Sequence, residues 1–591
     1  MDPAPDPAAA RADSVSRADR LRRAWPALIF LVIAIAVHAP AWTNPSRRAF
    51  CGCGDLAFAT WFFSWTPYAV LHGHNPLFTD WLNHPYGVNV MWNVSLPLPG
   101  LLMAPVTLAF GPVATYNVLS AVGFWTAGWT AYAVIRRWAP WRPAAFVGGL
   151  LFQLSPFMMG QQLGHVHMNL IGLVPLMLLC LDELLVRQSG RAWLWGALLG
   201  ALAAAQLLTA EEVLAAAALI GLVGLLVLVL LHPRRVAAKV SYAGKGALAA
   251  VASFAALGGY PLYVEFFGRQ ALHGAVQQTD RFSVDLLEAV VPSRRVWLRN
   301  DATNEVAARF SGNLSENGAY LGITLIAAVL LVLLVYRRIA TVRVLSALLL
   351  ATFVLSLGNH LRVNGRVTDI ALPFGAVQHL PLLESVTPTR LALFTSLLAG
   401  ALLAIGLDRL HGRLGGGALS RLLPAGLALL ALAPIAPQFG WDYQDTMVPA
   451  YYRSTAVARI PEGSVALMVP FPNRVDSRPE LWQATTGMRF KSPGGYVLTP
   501  GKDGRPTFGG VPSSMSGALR RIVLGRPLPR YTPAFLRQLR GDLRLWQIRT
   551  VIVTEHDRMD QTLALLTLVL RRPPIRDQGA FAWYDVDPAA L

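Results

Sequence analysis

The sequence predicts a polytopic α-helical membrane protein with about eleven transmembrane helices and a soluble α/β domain at its C-terminal end. Three observations predict it. Of 591 residues, 54% are hydrophobic and only 14% charged, with a mean hydropathy of +0.44, too apolar for a soluble chain of this length. Apolar runs long enough to span a bilayer, about 17 to 25 residues each, recur as far as residue 436. Beyond residue 441 they give way to short apolar strands alternating with amphipathic helices.

The runs fall near 24–42, 112–135, 143–158, 167–186, 192–209, 213–231, 246–264, 318–336, 340–357, 389–409 and 418–436. Arg20, Arg22 and Arg23 precede the first, and "HAPAW" has the look of a signal-peptide cleavage site. Its apolar stretch is long for a signal peptide, however, and it reads as an anchor. The stretch 95–111 carries Pro97, Pro99 and Pro105. Five basic clusters arbitrate its role: Arg136, Arg137 and Arg142; Arg187 and Arg191; Arg234, Arg235 and Lys239; Arg337, Arg338 and Arg343; Arg409, Arg413 and Arg421. They share the cytosolic side with the basic N-terminus, residues 1–23, only if 95–135 crosses once. The stretch 95–111 is then a broken or re-entrant entry to the second span; two full crossings there are the alternative.

Charge supports the same layout. The formal charge of +18 lies mostly in those clusters, so it reports topology and argues against a nucleic-acid protein. Lys occurs only at Lys239, Lys245, Lys491 and Lys502, an Arg-rich bias that suggests a GC-rich bacterial source. Cys51, Cys53 and Cys180 cannot frame a disulfide scaffold, and no cysteine or histidine pairs stand at zinc-finger spacing.

Under this count the outer face receives 43–95, the turns near 159–167 and 209–212, the loops 265–317 and 358–388, and everything after 437. The chemically capable residues fall on that face: Asp55 and His84; Gln161, Gln162, His165 and His167; Glu211 and Glu212; Arg281, Arg294 and Glu316; and Arg390. Ionisable groups at membrane depth are costly and usually mark a function or a pairing.

The architecture, together with "GD" at 54–55, "NHPYGVNVMWN" at 83–93, "ENGAYLG" at 316–322 and "PTRLALF" at 388–394, resembles the GT-C superfamily of membrane glycosyltransferases. The likeness is to a bacterial branch that supplies a reaction class but no substrate. It covers the whole chain in layout and is sequence-specific only in these motifs. It implies a GT-C-like transmembrane domain over 24–440, with long outer loops at 43–95 and 265–317, and an extracytoplasmic α/β domain over 441–591. It also implies glycosyl transfer from a polyprenyl-phosphate sugar to a cell-envelope glycan or lipid acceptor, at the outer face of the plasma membrane.

The resemblance gives the acidic residue of the first outer loop the part of general base, or of carboxylate ligand to a divalent metal that steadies the leaving phosphate. Asp55 stands there; capping the helix that begins at Leu56 is its structural alternative. Many members carry a second acidic residue beside the first or an acidic pair in the second outer loop, whereas here that loop reads "GQQLGHVH". His165 and His167 are candidates for proton transfer or metal ligation, or for a hydrogen bond to a neighbouring helix, and metal dependence stays open. In "LLTAEEVLAAA", Thr209 suits an N-cap with Glu212 as the reciprocal partner of a capping box, leaving Glu211 as a second catalytic carboxylate. Arg390, at the start of a late span, suits a lipid phosphate, with Arg294 and Arg295 as second choices. His84, Gln161 and Glu316 complete the candidate substrate-binding set.

Two stretches remain. "DLAFATWFFSWTPYAVL" is rich in Trp and Phe and reads as a helix lying in the membrane interface. The C-terminal strands "SVALMVPFP", "TVIVTEHD" and "FAWYDVD" alternate with helices but lack a Gly-rich phosphate loop. Trp482 and Tyr496 there are either sugar-stacking or core residues. A lipid or polysaccharide transporter would share the apolar bundle but usually shows related halves, which this sequence lacks. A non-catalytic envelope-assembly protein would have no use for Asp55.

Overall fold

The computed structural model describes residues 17–50, 54–276, 279–380, 383–438 and 443–591. Cys51 and Cys53 lie outside the described residues. Among the described residues six helices are long and apolar enough to cross a membrane: Pro112–Ile135, Arg142–Gln161, Val166–Arg187, Glu211–Leu231, Val240–Phe267 and Pro388–Arg413. Five shorter apolar helices, Ala24–Val37, Ala192–Leu207, Ile323–Tyr336, Ala340–Ser356 and Leu419–Ile435, occupy the other expected runs. The proline-rich stretch forms two short helices, Pro97–Leu102 and Ala104–Phe110, broken at Met103.

Pro388–Arg413 is the centre of the bundle, with 94% of its apolar window buried. Its Ala392–Arg413 part packs on Arg142–Gln153 through two glycines. A Cβ at Gly148 would lie 2.7 Å from the Gly400 carbonyl, and one at Gly400 would lie 2.7 Å from the Gly148 carbonyl. Small residues let these backbones touch, which is how helices gain dispersion energy where lipid offers no hydrophobic drive.

The helix Gly54–Leu71 departs from the interfacial expectation. Trp61, Phe62, Phe63 and Trp65 are all buried, and the covering comes from the protein. Arg478–Thr485 packs along the helix, and the Trp61 indole donates to Gln483 Oε1 at 2.8 Å. A helix apolar on every side needs burial on every side, and a segment more than 400 residues away supplies it. Trp482 belongs to the same core: it is 3% exposed, donates to the Met447 carbonyl at 2.8 Å and stacks on Tyr452.

The C-terminal segment carries a four-stranded sheet in the order Ile575–Asp577, Ala580–Trp583, Ile548–Val553, Val465–Val469. The last two strands run parallel and the other pairs antiparallel. Helices Ser514–Val523, Pro533–Leu545 and Met559–Leu570 bury Leu519, Leu543 and Leu566 in one core with it. A second core joins its other face to the membrane bundle, with Met468, Ile552 and Tyr584 meeting Leu56, Phe63, Tyr116 and Val166. Antiparallel pairing of Arg48–Ala49 with Gln444–Asp445 ties the same end.

This junction buries a carboxyl. Glu480 is fully enclosed, and although it accepts the Tyr496 amide, burial pushes its pKa up to about 8. Folding therefore holds a proton that the unfolded chain, with an ordinary Glu pKa of about 4.3, releases. Stability then falls as pH rises from about 4.3 to about 8. Glu480→Gln should match the parent in thermal unfolding at pH 5 and exceed it at pH 8.5; equal behaviour at both would contradict this assignment.

Candidate active site

Four separated segments bring ionisable groups together at the end of the bundle that faces the C-terminal sheet. Asp55 sits in the first turn of Gly54–Leu71, one residue inside the helix and not in front of it as a cap at Leu56 would require. His165 ends the turn after Pro156–Gln161 and precedes the short helix Val166–Asn169. Glu316 lies in the loop before Ile323–Tyr336, and Arg390 in the turn that opens the central helix.

Their contacts form a chain. Asp55 Oδ2 is 3.4 Å from His165 Nε2, and His165 Nδ1 is 3.7 Å from Glu316 Oε1. Glu316 Oε1 is 2.7 Å from Arg390 Nη2, and the Arg390 Nη1 group pairs with Glu212. The imidazole is oriented from behind. Gln161 donates its amide N–H to the Ser315 carbonyl at 2.8 Å, which turns Oε1 toward His165 Nδ1 at 2.7 Å. The Nδ1–H donates to that oxygen, and Nε2 is left facing Asp55.

Exposure divides the chain into an open end and a closed end. The Asp55 side chain is 40% exposed, against 12% for His165, 3% for Glu316 and 12% for Arg390. Burial opposes the Glu316 charge, but the Arg390 guanidinium outweighs it and holds this carboxyl below its ordinary range.

Several sequence expectations change here. Thr209 does not cap the helix Glu211–Leu231: the N-cap is Ala210, without a side-chain bond, and the Thr209 hydroxyl donates back to the Ala205 carbonyl at 2.7 Å. Glu212 is therefore no capping-box partner; it pairs with Arg390 and accepts the Thr387 amide at 2.8 Å. Glu211 faces Glu265 of Val240–Phe267 rather than His165. Glu265, a lone carboxylate in "YPLYVEFFG", was missed, although its isolation in an apolar helix was signal enough. Arg390 is engaged by Glu212 and Glu316 on Nη1, Nη2 and Nε, so it ties segments together and does not present a free fork to a phosphate.

His167 is buried, its ring 5.7 Å from that of His165. His84 lies apart from the chain, 3.4 Å from Asp80; Asp80 also meets Lys491 at 2.6 Å. Despite burial, His84 and Lys491 hold the Asp80 pKa down to about 2. Arg281 and Arg294 stand outside the chain too, the former over the Phe282 ring. Among the described residues no three His, Cys, Asp or Glu side chains gather as metal ligands.

The family described as "Domain of unknown function (DUF6311)" matches residues 27–406. No curated protein matches the chain. Among solved structures, the mycobacterial arabinofuranosyltransferase AftD is similar, at 15% identity and a TM-score of 0.54, over 97% of this chain and 40% of that one. The chain thus spans two fifths of that enzyme's length. The oligosaccharyltransferase of Archaeoglobus fulgidus gives 11% identity and a TM-score of 0.46, over 93% of this chain and 72% of that one. ArnT from Cupriavidus metallidurans gives 12% and 0.44, over 94% and 97%. At such identity the likeness to the arabinofuranosyltransferase shows a shared fold and nothing of the activity.

Proposed function

This chain belongs to the DUF6311 family, and we propose that it is a membrane glycosyltransferase of the GT-C type. It moves a sugar from a polyprenyl-phosphate donor to a cell-envelope acceptor at the outer face of a bacterial plasma membrane. The N-terminus is cytosolic in this reading and the segment after 441 lies outside. The observation that carries it is the asymmetry of the ionisable chain: a half-exposed Asp55 backed by buried, mutually compensated groups. The fold shared with an arabinofuranosyltransferase supports it.

Asp55 takes the proton of the acceptor hydroxyl as that oxygen attacks the anomeric carbon. The bond from that carbon to the phosphate oxygen breaks, and polyprenyl phosphate leaves with the electron pair. General-base help of this kind contributes about 10² to 10⁴ in rate. His165, with Nε2 3.4 Å from Asp55 and Nδ1 fixed by Gln161, can take up the proton from the Asp55 carboxyl on Nε2. Glu316 and Arg390 keep that imidazole in place and touch no reacting atom. No step runs through a metal.

A strain lacking this protein should accumulate the polyprenyl-phosphate sugar and lose the corresponding sugar from an envelope glycan or lipid. An unchanged lipid-linked pool together with an unchanged envelope composition would contradict the proposal.

A further inference from the structure

Charge around Asp55 leaves a phosphate unaccounted for. Among the described residues of this cluster three carboxylates, Asp55, Glu316 and Glu212, stand against one arginine, Arg390, which pairs with Glu316 and Glu212 while Asp55 meets only His165, and even a protonated His165 leaves the group net negative. A phosphate entering beside Asp55 would meet like charge at short range and be repelled. A second cation has to serve it.

The C-terminal segment offers one. Asn473 closes a tight turn on its own backbone, its Oδ1 accepting the Val475 amide at 2.7 Å and its backbone N–H donating to the Asp476 carbonyl at 2.9 Å. The turn projects Arg474 at its exposed tip. Next along the chain, the Ser477 hydroxyl donates to the Gly54 carbonyl at 3.1 Å, pinning the turn to the residue before Asp55. Arg474 forms no ion pair among the described residues; its guanidinium lies over the Phe508 ring, 5.3 Å from the centroid. Phe508 stacks on Tyr496 at 5.9 Å, and Tyr496 packs on Phe58 of the Asp55 helix at 5.7 Å. An aromatic ladder thus runs from the Asp55 helix to a cation held ready on a ring face.

We infer that Arg474 and the Tyr496 hydroxyl form an anion subsite beside Asp55, taking the negatively charged group of a substrate. Tyr496 senses both the Asp55 and the Arg474 charge. Chiefly through burial its pKa is pushed up to about 12, so it keeps its O–H and donates. This rests on the glycosyl-transfer reading for its place in a reaction, but the binding it predicts can be measured without turnover. The anion has two sources, the lipid donor's phosphodiester or a charged group on the acceptor glycan.

The test is equilibrium binding to the full-length protein in detergent, with a short-chain polyprenyl phosphate as one probe, a glucuronate-containing oligosaccharide as the second and a neutral glucan as control. Arg474→Gln should weaken one anionic probe by about 10- to 100-fold, Arg474→Lys by less, and Tyr496→Phe measurably. Asp55→Asn should not weaken it, since a repelling charge is removed. Loss confined to the polyprenyl phosphate assigns the subsite to the donor; loss confined to the acidic oligosaccharide assigns it to the acceptor. Wild-type affinity for both anions in Arg474→Gln, or no anion binding by the parent, would overturn the inference. Failed transfer with intact Arg474-dependent binding would count against the glycosyl-transfer reading alone. Arg474 is exposed, so folding survives its replacement, and an unchanged unfolding midpoint checks this.

Discussion

Asp55→Asn should lose transfer by about 10² to 10⁴ while keeping its thermal unfolding midpoint. Asn preserves size and one acceptor oxygen but cannot take a proton from an acceptor hydroxyl. The structural cost is small. Asp55 lies in the first helical turn with a 40% exposed side chain, where losing a carboxylate forfeits a helix-dipole interaction of about 0.3–1 kcal/mol. A purely structural Asp55 predicts the reverse pattern, with near-normal transfer and a slightly lower midpoint.

Arg390→Met should destabilise the protein by roughly 3–5 kcal/mol, the usual consequence of removing one partner from a buried ion pair. Two carboxylates would lose their counter-charge at once, Glu316 at 3% side-chain exposure and Glu212 at 20%. Arg390→Lys keeps the charge but not the planar fork that spans both acids, so it should fall between parent and Met. Adding Glu316→Gln to Arg390→Met should recover part of the loss, because the second substitution removes the charge that the first stranded. Unfolding midpoints and detergent-solubilised yields read these effects. An Arg390→Met protein as stable as the parent would show that the ion chain does not hold the segments.

The apolar helices were legible because bilayer thickness imposes a length and composition that survive any tertiary arrangement. The convergence of Asp55, His165, Glu316 and Arg390 was legible for a related reason, since lone ionisable groups beside apolar runs need partners. Their pairing was not. Glu211 and Glu212 are neighbours on a helix that turns about 100° per residue, so a shift of the helix start decides which one meets Arg390. The capping-box pattern placed that start at Thr209, whose hydroxyl in fact closes the preceding helix. The aromatic helix Gly54–Leu71 misled for a different reason. Its all-round apolarity suits an interface or an interior equally, and the segment that covers it, Arg478–Thr485, lies far along the chain. Arg474 sits in a loop without periodicity, and only the bond from Ser477 to Gly54, distant in sequence, brings that loop to Asp55.

The most direct test of the central claim, that Asp55 acts on a lipid-linked sugar, is a single-turnover assay of the purified protein with polyprenyl-phosphate sugars and envelope acceptor, following release of polyprenyl phosphate. The parent should release one polyprenyl phosphate per sugar transferred, and a folded Asp55→Asn protein should do so at a rate at least about 10²-fold lower. Equal release by the two proteins, or none by the parent across the donor set, would contradict it.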